Sequence, residues 1–130
     1  MSDIPSDFTY TKEHEWVQTT GNGRVRIGIT DHAQKQLGDL VYVELPKVGA
    51  KLEAGNQFGL VESVKSVSDI FAPLTGTVAA VNEELEASPE LVNEDPYDEG
   101  WLVELTTTDT AELKELLTAA QYKAYIQGET

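Results

Sequence analysis

The chain has 130 residues, and this length suits one domain with a packed core. It contains 23 acidic and 9 basic residues, which give a formal charge of -14, and it has two histidines and no cysteine. The negative charge argues against nucleic-acid binding, the lack of cysteine excludes disulfides and thiolate ligands, and two histidines cannot by themselves complete a usual zinc site. No apolar run approaches the roughly 18 residues of a membrane span, and the first residues resemble no targeting peptide, so we expect a soluble intracellular protein.

The first third of the chain predicts a β-hairpin followed by a short helix. Residues 16–19 and 24–29 flank Gly21-Asn22-Gly23, and the second run alternates apolar with polar or small residues. An Asn-Gly pair supplies the positive φ angles of a tight turn. Thr30 is a candidate N-cap for a helix that ends at residue 36 or 37, because Gly38 follows as a terminator.

The middle of the chain predicts further short strands. They are expected at 41–45, at 58–64, in a run at 70–73 that leads into 76–81, and at 101–105. We assign Gly49, Gly55 and Gly76 to turns. Ser88 and Pro89 have the residue types of a helix cap and a first helical residue. The aromatic residues expected in the core are Trp16, Tyr42, Phe71 and Trp101.

The C-terminal segment predicts a single helix. Asp109 and Glu112 resemble a capping box. The residues that fall on one apolar face at helical spacing are Leu113, Leu116, Leu117, Ala120 and Ala124. We therefore expect a helix over about 110–126 that packs on a sheet.

The negative charge is concentrated in one part of the chain. Residues 66–113 contain twelve acidic residues and no lysine or arginine, whereas residues 1–65 carry a net charge of -2 and residues 114–130 carry none. The simpler interpretation is a solvated, solubilising surface. The alternative is a docking surface for basic partners.

Lys65 lies at the start of that acidic stretch, between two predicted strands. Its neighbours are small or apolar, and no other lysine or arginine lies within thirteen residues of it. An exposed ammonium on a tight turn is accessible to a modifying enzyme. An ordinary solvated lysine is the alternative interpretation, and the surrounding sequence pattern decides between them.

That pattern resembles a lipoyl-attachment signature. The matching residues are Gly55, Phe58, Lys65, Ser66, Ile70, Gly76 and Val78. Longer blocks resemble the glycine cleavage H-protein family in particular: His14-Glu15-Trp16-Val17, Gly28-Ile29-Thr30-Asp31-His32-Ala33-Gln34, Val43-Glu44-Leu45-Pro46, Val61-Glu62-Ser63-Val64-Lys65, and Ser88-Pro89-Glu90-Leu91-Val92-Asn93. A biotin carrier normally presents its lysine between methionines, and lipoyl domains of dehydrogenase complexes usually have Asp before it, unlike this chain.

The resemblance implies a fold and a domain organisation. The expected fold is mostly β, a lipoyl/biotinyl-domain-like flattened barrel-sandwich hybrid with short helices and a C-terminal α-helix. The resemblance covers residues 1–130 as one carrier domain, with a β core over about 24–106.

The resemblance also implies a function. Members of this family are non-catalytic carriers, so Lys65 is expected to bear (R)-lipoate in amide linkage after reaction with a lipoyl-attaching enzyme. The arm carries an aminomethyl group from a pyridoxal-phosphate glycine decarboxylase (P protein) to a tetrahydrofolate-dependent aminomethyltransferase (T protein), and electrons to dihydrolipoyl dehydrogenase (L protein). We expect a monomer in the bacterial cytoplasm, or in the mitochondrial matrix if the source is eukaryotic.

Two carboxylates match positions that the resemblance places near the docked arm. Glu15 and Asp69 are therefore candidates for holding the protonated aminomethyl amine, with a surface-strand residue and a turn-former as the plain alternatives. His14 and His32 are interpreted as structural. Gln36 stands where some relatives have a histidine, which removes that histidine from any docking role here.

Two other functions remain open on the sequence alone. One is an H-like protein that relays lipoyl groups to other complexes. The other is an unmodified domain that uses its acidic surface for binding.

Overall fold

The computed structural model describes residues 3–21, 23–107 and 110–128, and these form nine strands and five short helices. The strands are β1 (Thr9–Tyr10), β2 (Glu15–Gly21), β3 (Arg24–Ile29), β4 (Leu40–Glu44), β5 (Lys51–Leu52), β6 (Gln57–Ser63), β7 (Val67–Phe71), β8 (Gly76–Val81) and β9 (Val103–Thr106). The helices are α1 (Asp31–Leu37), α2 (Glu84–Ala87), α3 (Leu91–Glu94), α4 (Thr110–Lys114) and α5 (Ala119–Gln127).

The strands form two antiparallel sheets, neither of which closes into a barrel. The larger sheet has the order β1-β2-β3-β9-β8-β5, and the smaller has the order β4-β6-β7. Val17, Val25 and Ile27 of the larger sheet share one buried cluster with Val61 and Ile70 of the smaller. The predicted mostly β class with short helices and a C-terminal helix is confirmed.

The predicted first hairpin and short helix are both present. Strands β2 and β3 pair from Glu15↔Ile29 onward, and Gly21 and Gly23 adopt positive φ angles of 101° and 75°; Asn22 lies outside the described residues. The Thr30 hydroxyl accepts a hydrogen bond from the backbone N–H of Ala33, so it caps α1 as predicted.

A second buried cluster lies where the N-terminal strand meets the C-terminal helix. Tyr10, Trp16, Tyr122 and Ile126 form it, and the rings of Tyr10 and Tyr122 stack with centroids 4.8 Å apart. Trp16 is fully buried, as predicted, and its indole N–H donates to the Pro96 carbonyl over 2.9 Å. This cluster attaches helix α5 to the larger sheet.

The prediction of a core Tyr42 is wrong. Its side chain is 46% exposed, and Phe71 and Trp101 are only partly buried. A register irregularity between Leu40 and Tyr42 interrupts the alternation of strand β4, so that Val41 and Tyr42 are both exposed. Because a bulge changes which face a residue occupies, the expectation that an aromatic residue lies in the core is wrong for Tyr42.

The predicted cap at Ser88 is also wrong. Ser88 ends α2, a helix that the sequence pattern did not predict, and the following helix α3 begins at Leu91 without a side-chain cap. Pro89 therefore lies between two single-turn helices rather than at the first helical position.

The C-terminal segment is two helices rather than one. Leu117 exchanges two backbone hydrogen bonds with Tyr10, which interrupts the helix, and Thr118 starts α5 with a capping box to Gln121. Ala120 and Ala124 are both exposed, contrary to the predicted face. The predicted cap at Asp109 lies outside the described residues. No helix in the described ranges is long and apolar enough to cross a membrane.

Candidate functional site

Lys65 lies at the tip of the β6–β7 hairpin, and backbone hydrogen bonds define the turn. The N–H of Ser63 donates to the carbonyl of Ser66 over 2.8 Å. The Ser63 hydroxyl accepts from the N–H groups of Lys65 and Ser66 at 3.2 and 3.0 Å. A serine that bonds the backbone in this way stabilises a turn without adding bulk. The exposed lysine is therefore presented from a well-defined backbone.

The segment that links α1 to β4 supports this hairpin. The N–H of Val64 donates to the carbonyl of Asp39 over 3.1 Å. The stem of Lys65 passes close to Gly38, because a Cβ built on this glycine would lie 3.3 Å from Cε of the lysine. Gly38 also has a φ of 81°, which a glycine adopts at low cost. A glycine at this position thus leaves room for the lysine stem.

Asn93 of helix α3 holds the same linking segment. Its side-chain oxygen accepts from the N–H of Leu40 at 2.9 Å. Its amide nitrogen donates to the Gly38 carbonyl at 2.8 Å and to the Gln34 side chain at 3.0 Å. One neutral side chain therefore joins helices α1 and α3 to the strand next to Lys65.

A cavity of about 300 Å³ lies beside the hairpin, between helix α1 and strand β7. Its lining includes Asp69, which is exposed and accepts a hydrogen bond from the Gln57 side chain at 2.9 Å. The cavity is also lined by Glu13, His14, Gln36, Leu37 and Ser68. The lining mixes polar and apolar side chains, which suits an amphipathic guest.

Glu15 lines a different cavity, of about 330 Å³, together with Thr11 and Phe71. Its carboxylate is 1% exposed and accepts from the Thr11 hydroxyl at 2.6 Å and from the N–H of Phe71 at 3.3 Å. Burial raises the pKa of Glu15 to about 7, although both hydrogen bonds lower it. The two candidate carboxylates are therefore in different environments, and Glu13 lies on the rim of both cavities.

The two histidines contact other side chains. His14 Nδ1 lies 2.8 Å from the hydroxyl of buried Tyr122, which in turn lies 2.7 Å from the Thr30 hydroxyl. The rings of His14 and His32 have centroids 4.9 Å apart. These contacts connect helix α5 to the loop before β2.

Most of the acidic residues between 66 and 113 lie in residues 83–99, here called the acidic segment. It contains eight of the twelve carboxylates between residues 66 and 113, and seven of the eight are exposed. Glu104 instead pairs with Arg26 at 2.8 Å, and Glu112 accepts hydrogen bonds from Thr75. The acidic segment meets the Lys65 support through Asn93.

Sequence reasoning missed several residues that build this site. Ser63 and Asn93 were present in the family-like blocks but received no role, because their partners lie elsewhere in the chain. The serine two residues before Lys65 is a signal for a side-chain-stabilised turn. No local signal indicates that Asn93 reaches Gly38.

The fold and the site define a small, mostly β protein that presents a lysine on a hydrogen-bonded hairpin beside a cavity. The family model described as glycine cleavage H-protein matches residues 8–129. A glycine cleavage system H protein from Mycolicibacterium vanbaalenii is 60% identical over 97% of this chain and 98% of that protein. One from Chromohalobacter salexigens is 51% identical over 99% and 98%.

A solved structure shows the same fold. The crystal structure of a glycine cleavage system H protein from Mycobacterium marinum matches with a TM-score of 0.87 and 42% identity, over 98% of this chain and 100% of that one. This chain therefore belongs to the glycine cleavage H-protein family.

Proposed function

We propose that this chain is the lipoyl carrier of a glycine cleavage system, with lipoate attached through an amide to Lys65. In this function it moves the aminomethyl group from glycine decarboxylase to the folate-dependent aminomethyltransferase, and electrons to dihydrolipoyl dehydrogenase. The observation that carries the proposal is an exposed lysine on a braced hairpin tip, in a chain that matches the family over nearly its full length.

The residues around Lys65 fit an acylated lysine. The turn has small side chains at Ser63 and Ser66, and the lysine stem lies over Gly38, so the amine is unobstructed by neighbouring bulk. The lining of the adjacent cavity includes both apolar side chains and carboxylates. When bound, lipoate supplies a cyclic disulfide that accepts both the aminomethyl group and electrons.

The chain itself contributes position rather than catalysis. A hairpin held by Ser63 and by the Asp39 carbonyl fixes the base of a tether. A tethered group reaches each partner's active site at high effective concentration. We accordingly propose a monomeric, non-catalytic carrier that works in the cytoplasm of a bacterium.

The central experiment measures the mass of the protein purified from its native host. A lipoyl increment located on Lys65, and its absence in Lys65→Arg, is the expected result. Lys65→Arg also reduces glycine decarboxylation with purified P, T and L proteins to background, whereas Lys51→Arg, on a distant strand, retains full activity.

Unmodified Lys65 in the native host contradicts the carrier proposal and favours an acidic interaction domain. A modified protein that supports lipoyl transfer to other complexes but no glycine decarboxylation favours the relay function instead.

We also propose that Asp69 and Glu15 stabilise the aminomethyl load. Asp69 is an exposed carboxylate in the wall of the cavity next to Lys65, and Glu15 bonds the backbone of Phe71 two residues further along β7. A charge-assisted hydrogen bond to a protonated amine is worth more than a neutral one.

Asp69→Asn therefore speeds spontaneous loss of the aminomethyl group by up to about tenfold, equivalent to about 1.4 kcal/mol. Glu15→Gln has a smaller effect because its carboxyl group is buried. Release of the one-carbon unit in the absence of folate measures the rate, with Glu53→Gln as the exposed control. Unchanged loss in both variants contradicts the assignment.

A further inference from the structure

His14 has an unusual backbone conformation for a residue other than glycine. Its φ is 70°, the only positive φ of a non-glycine residue in the described ranges. Such a residue rarely adopts this conformation, which persists only where the surrounding structure imposes it. The N–H of His14 donates to the Thr11 carbonyl at 3.2 Å, and its carbonyl accepts from the N–H of Thr30 at 3.0 Å. These bonds hold His14 in the wall of the cavity beside Lys65.

Two buried hydroxyl groups determine the direction of the hydrogen bond to His14. The Thr30 hydroxyl oxygen accepts from the N–H of Ala33 at 3.2 Å and lies 2.7 Å from the Tyr122 hydroxyl. Because the N–H of Ala33 can only donate, the Tyr122 oxygen is the acceptor for the Thr30 hydroxyl hydrogen. Thr30 is fully buried, so a hydroxyl hydrogen without an acceptor would be costly there. Thr30 therefore donates to Tyr122, whose own hydrogen is directed to Nδ1 of His14, 2.8 Å away.

This direction determines which ring nitrogen of a neutral His14 carries the hydrogen. Since Nδ1 accepts from Tyr122, the hydrogen lies on Nε2, which can then only donate. Neither nitrogen can take up a proton unless the bond from Tyr122 is broken. Hydroxyl and amide groups in the same cavity wall, such as Ser68 and Gln36, can either donate or accept. The neutral His14 ring is therefore a donor in this cavity and not a base.

A base at this position would shorten the lifetime of the aminomethyl load. The protonated amine has no lone pair, but a base that takes its proton frees the lone pair to form a C=N bond. The C–S bond then breaks with its electron pair left on sulfur, and water converts the released iminium ion to formaldehyde and ammonium. The proton passes to the base, and nothing is oxidised or reduced. General bases typically speed such steps substantially.

We propose that Tyr122 is a positioning residue that protects the aminomethyl load, because its hydroxyl keeps His14 in the tautomer that cannot act as a base. This inference rests on the proposed function. The acceptors that the cavity wall offers to a protonated amine are then the carboxylates of Asp69 and Glu13. Tyr122 does not itself line the cavity, so helix α5 affects its chemistry only through His14.

The first experiment determines the His14 tautomer in the unmodified wild-type chain. Nitrogen–proton correlation NMR at pH 8, where a histidine of ordinary pKa is neutral, should show hydrogen on Nε2 and a hydrogen-bonded Nδ1 without hydrogen. The chain has two histidines, so His32→Gln assigns the signals. Tyr122→Phe keeps the ring that stacks on Tyr10 but lacks the hydroxyl, and its His14 should populate both tautomers.

The second experiment measures formaldehyde released from the loaded protein in the absence of folate. Tyr122→Phe is expected to speed release by about threefold or more, and adding His14→Gln should return it to within about twofold of the wild type. Tyr10→Phe is the matched control, because it removes a hydroxyl from the same buried cluster that bonds the Pro5 carbonyl. Its release rate should equal that of the wild type.

The double variant separates positioning from packing. If release stays fast in Tyr122→Phe/His14→Gln, the tyrosine acts through packing and the proposal is overturned, as it is by an unchanged release rate in Tyr122→Phe. Hydrogen on Nδ1 of wild-type His14 overturns it without any variant at Tyr122. That result leaves the carrier function intact, whereas a Lys65 that is never lipoylated in the native host defeats the proposed function and this inference together.

Discussion

The hairpin end of the molecule and the acidic segment are both surface regions, but they are built on different principles. Around Lys65, exposed valines and a tyrosine surround a turn whose backbone is hydrogen-bonded by Ser63. The acidic segment consists of two single-turn helices with eight carboxylates. We therefore expect the hairpin end to interact with other molecules through direct contact at a defined position. The acidic segment is expected to interact mainly through charge, which is long-ranged and screened by salt.

Replacing a glutamate by glutamine should affect stability very differently at buried Glu15, which contacts strand β7 of the hairpin, and at an exposed position of the acidic segment. Glu15 is buried and its pKa is raised from 4.5 to about 7, so the folded state binds more protons than the unfolded state between these pH values. The free energy of unfolding consequently falls as pH rises through that window. The Glu15→Gln variant does not lose stability in this way as pH rises. At pH 8 its free energy of unfolding should therefore exceed that of the wild type by roughly 2–3 kcal/mol.

Urea unfolding at pH 4 and pH 8 measures the effect of Glu15→Gln. The two proteins should differ little at pH 4, where Glu15 is protonated in both states. Glu90→Gln, an exposed change in the acidic segment, is the control and alters the free energy of unfolding by less than about 0.5 kcal/mol at either pH. Equal pH dependence of Glu15→Gln and the wild type contradicts the raised pKa.

Asn93 is the point at which the two regions meet. Asn93→Ala leaves the Gly38 carbonyl and the Leu40 N–H without their side-chain partner and lowers the free energy of unfolding by about 2 kcal/mol. Because this segment also braces the N–H of Val64, the hydrogen–deuterium exchange of the Lys65 turn should accelerate in the variant. Urea unfolding and amide exchange measure the two effects.

Asn56→Ala is the control for Asn93→Ala, since Asn56 is an exposed asparagine on a turn and its removal costs less than about 0.5 kcal/mol. Asn93→Asp keeps an acceptor for Leu40 but sets a carboxylate oxygen against the Gly38 carbonyl in a segment already rich in carboxylates, so it is expected to be at least as destabilised as Asn93→Ala. A destabilised Asn93→Ala variant with unchanged exchange at the Lys65 turn refutes the link between the regions.

Local chemistry explains which structural predictions are confirmed. The glycines between β2 and β3 and the Thr30 cap act within a few residues, so their sequence neighbourhood contains all the partners. The errors arise where a distant segment intervenes. Leu117 pairs with Tyr10 and splits the predicted C-terminal helix, and a bulge in β4 exposes Tyr42.

The candidate site shows the same division. Lys65 can be identified as a site residue from a motif whose residues lie close together in the chain. Glu15 and Asp69 can be identified from the family resemblance. The environments of these residues cannot be predicted from the sequence, because the burial of Glu15 depends on Thr11 and Phe71 packing around it. A carboxylate's pKa is determined by its solvation and partners, which sequence neighbours only partly define.

The sequence by itself determined the charge distribution, the mostly β class, the family and the lysine on which the proposed function depends, because these rest on residue identity and short-range spacing. Only the tertiary structure decided that Asn93 braces the Gly38 segment, that Glu15 and Asp69 line different cavities, and that the exposed apolar residues gather around Lys65. These features require contacts between residues far apart in the chain, and such contacts form only when the two sheets and the short helices pack together.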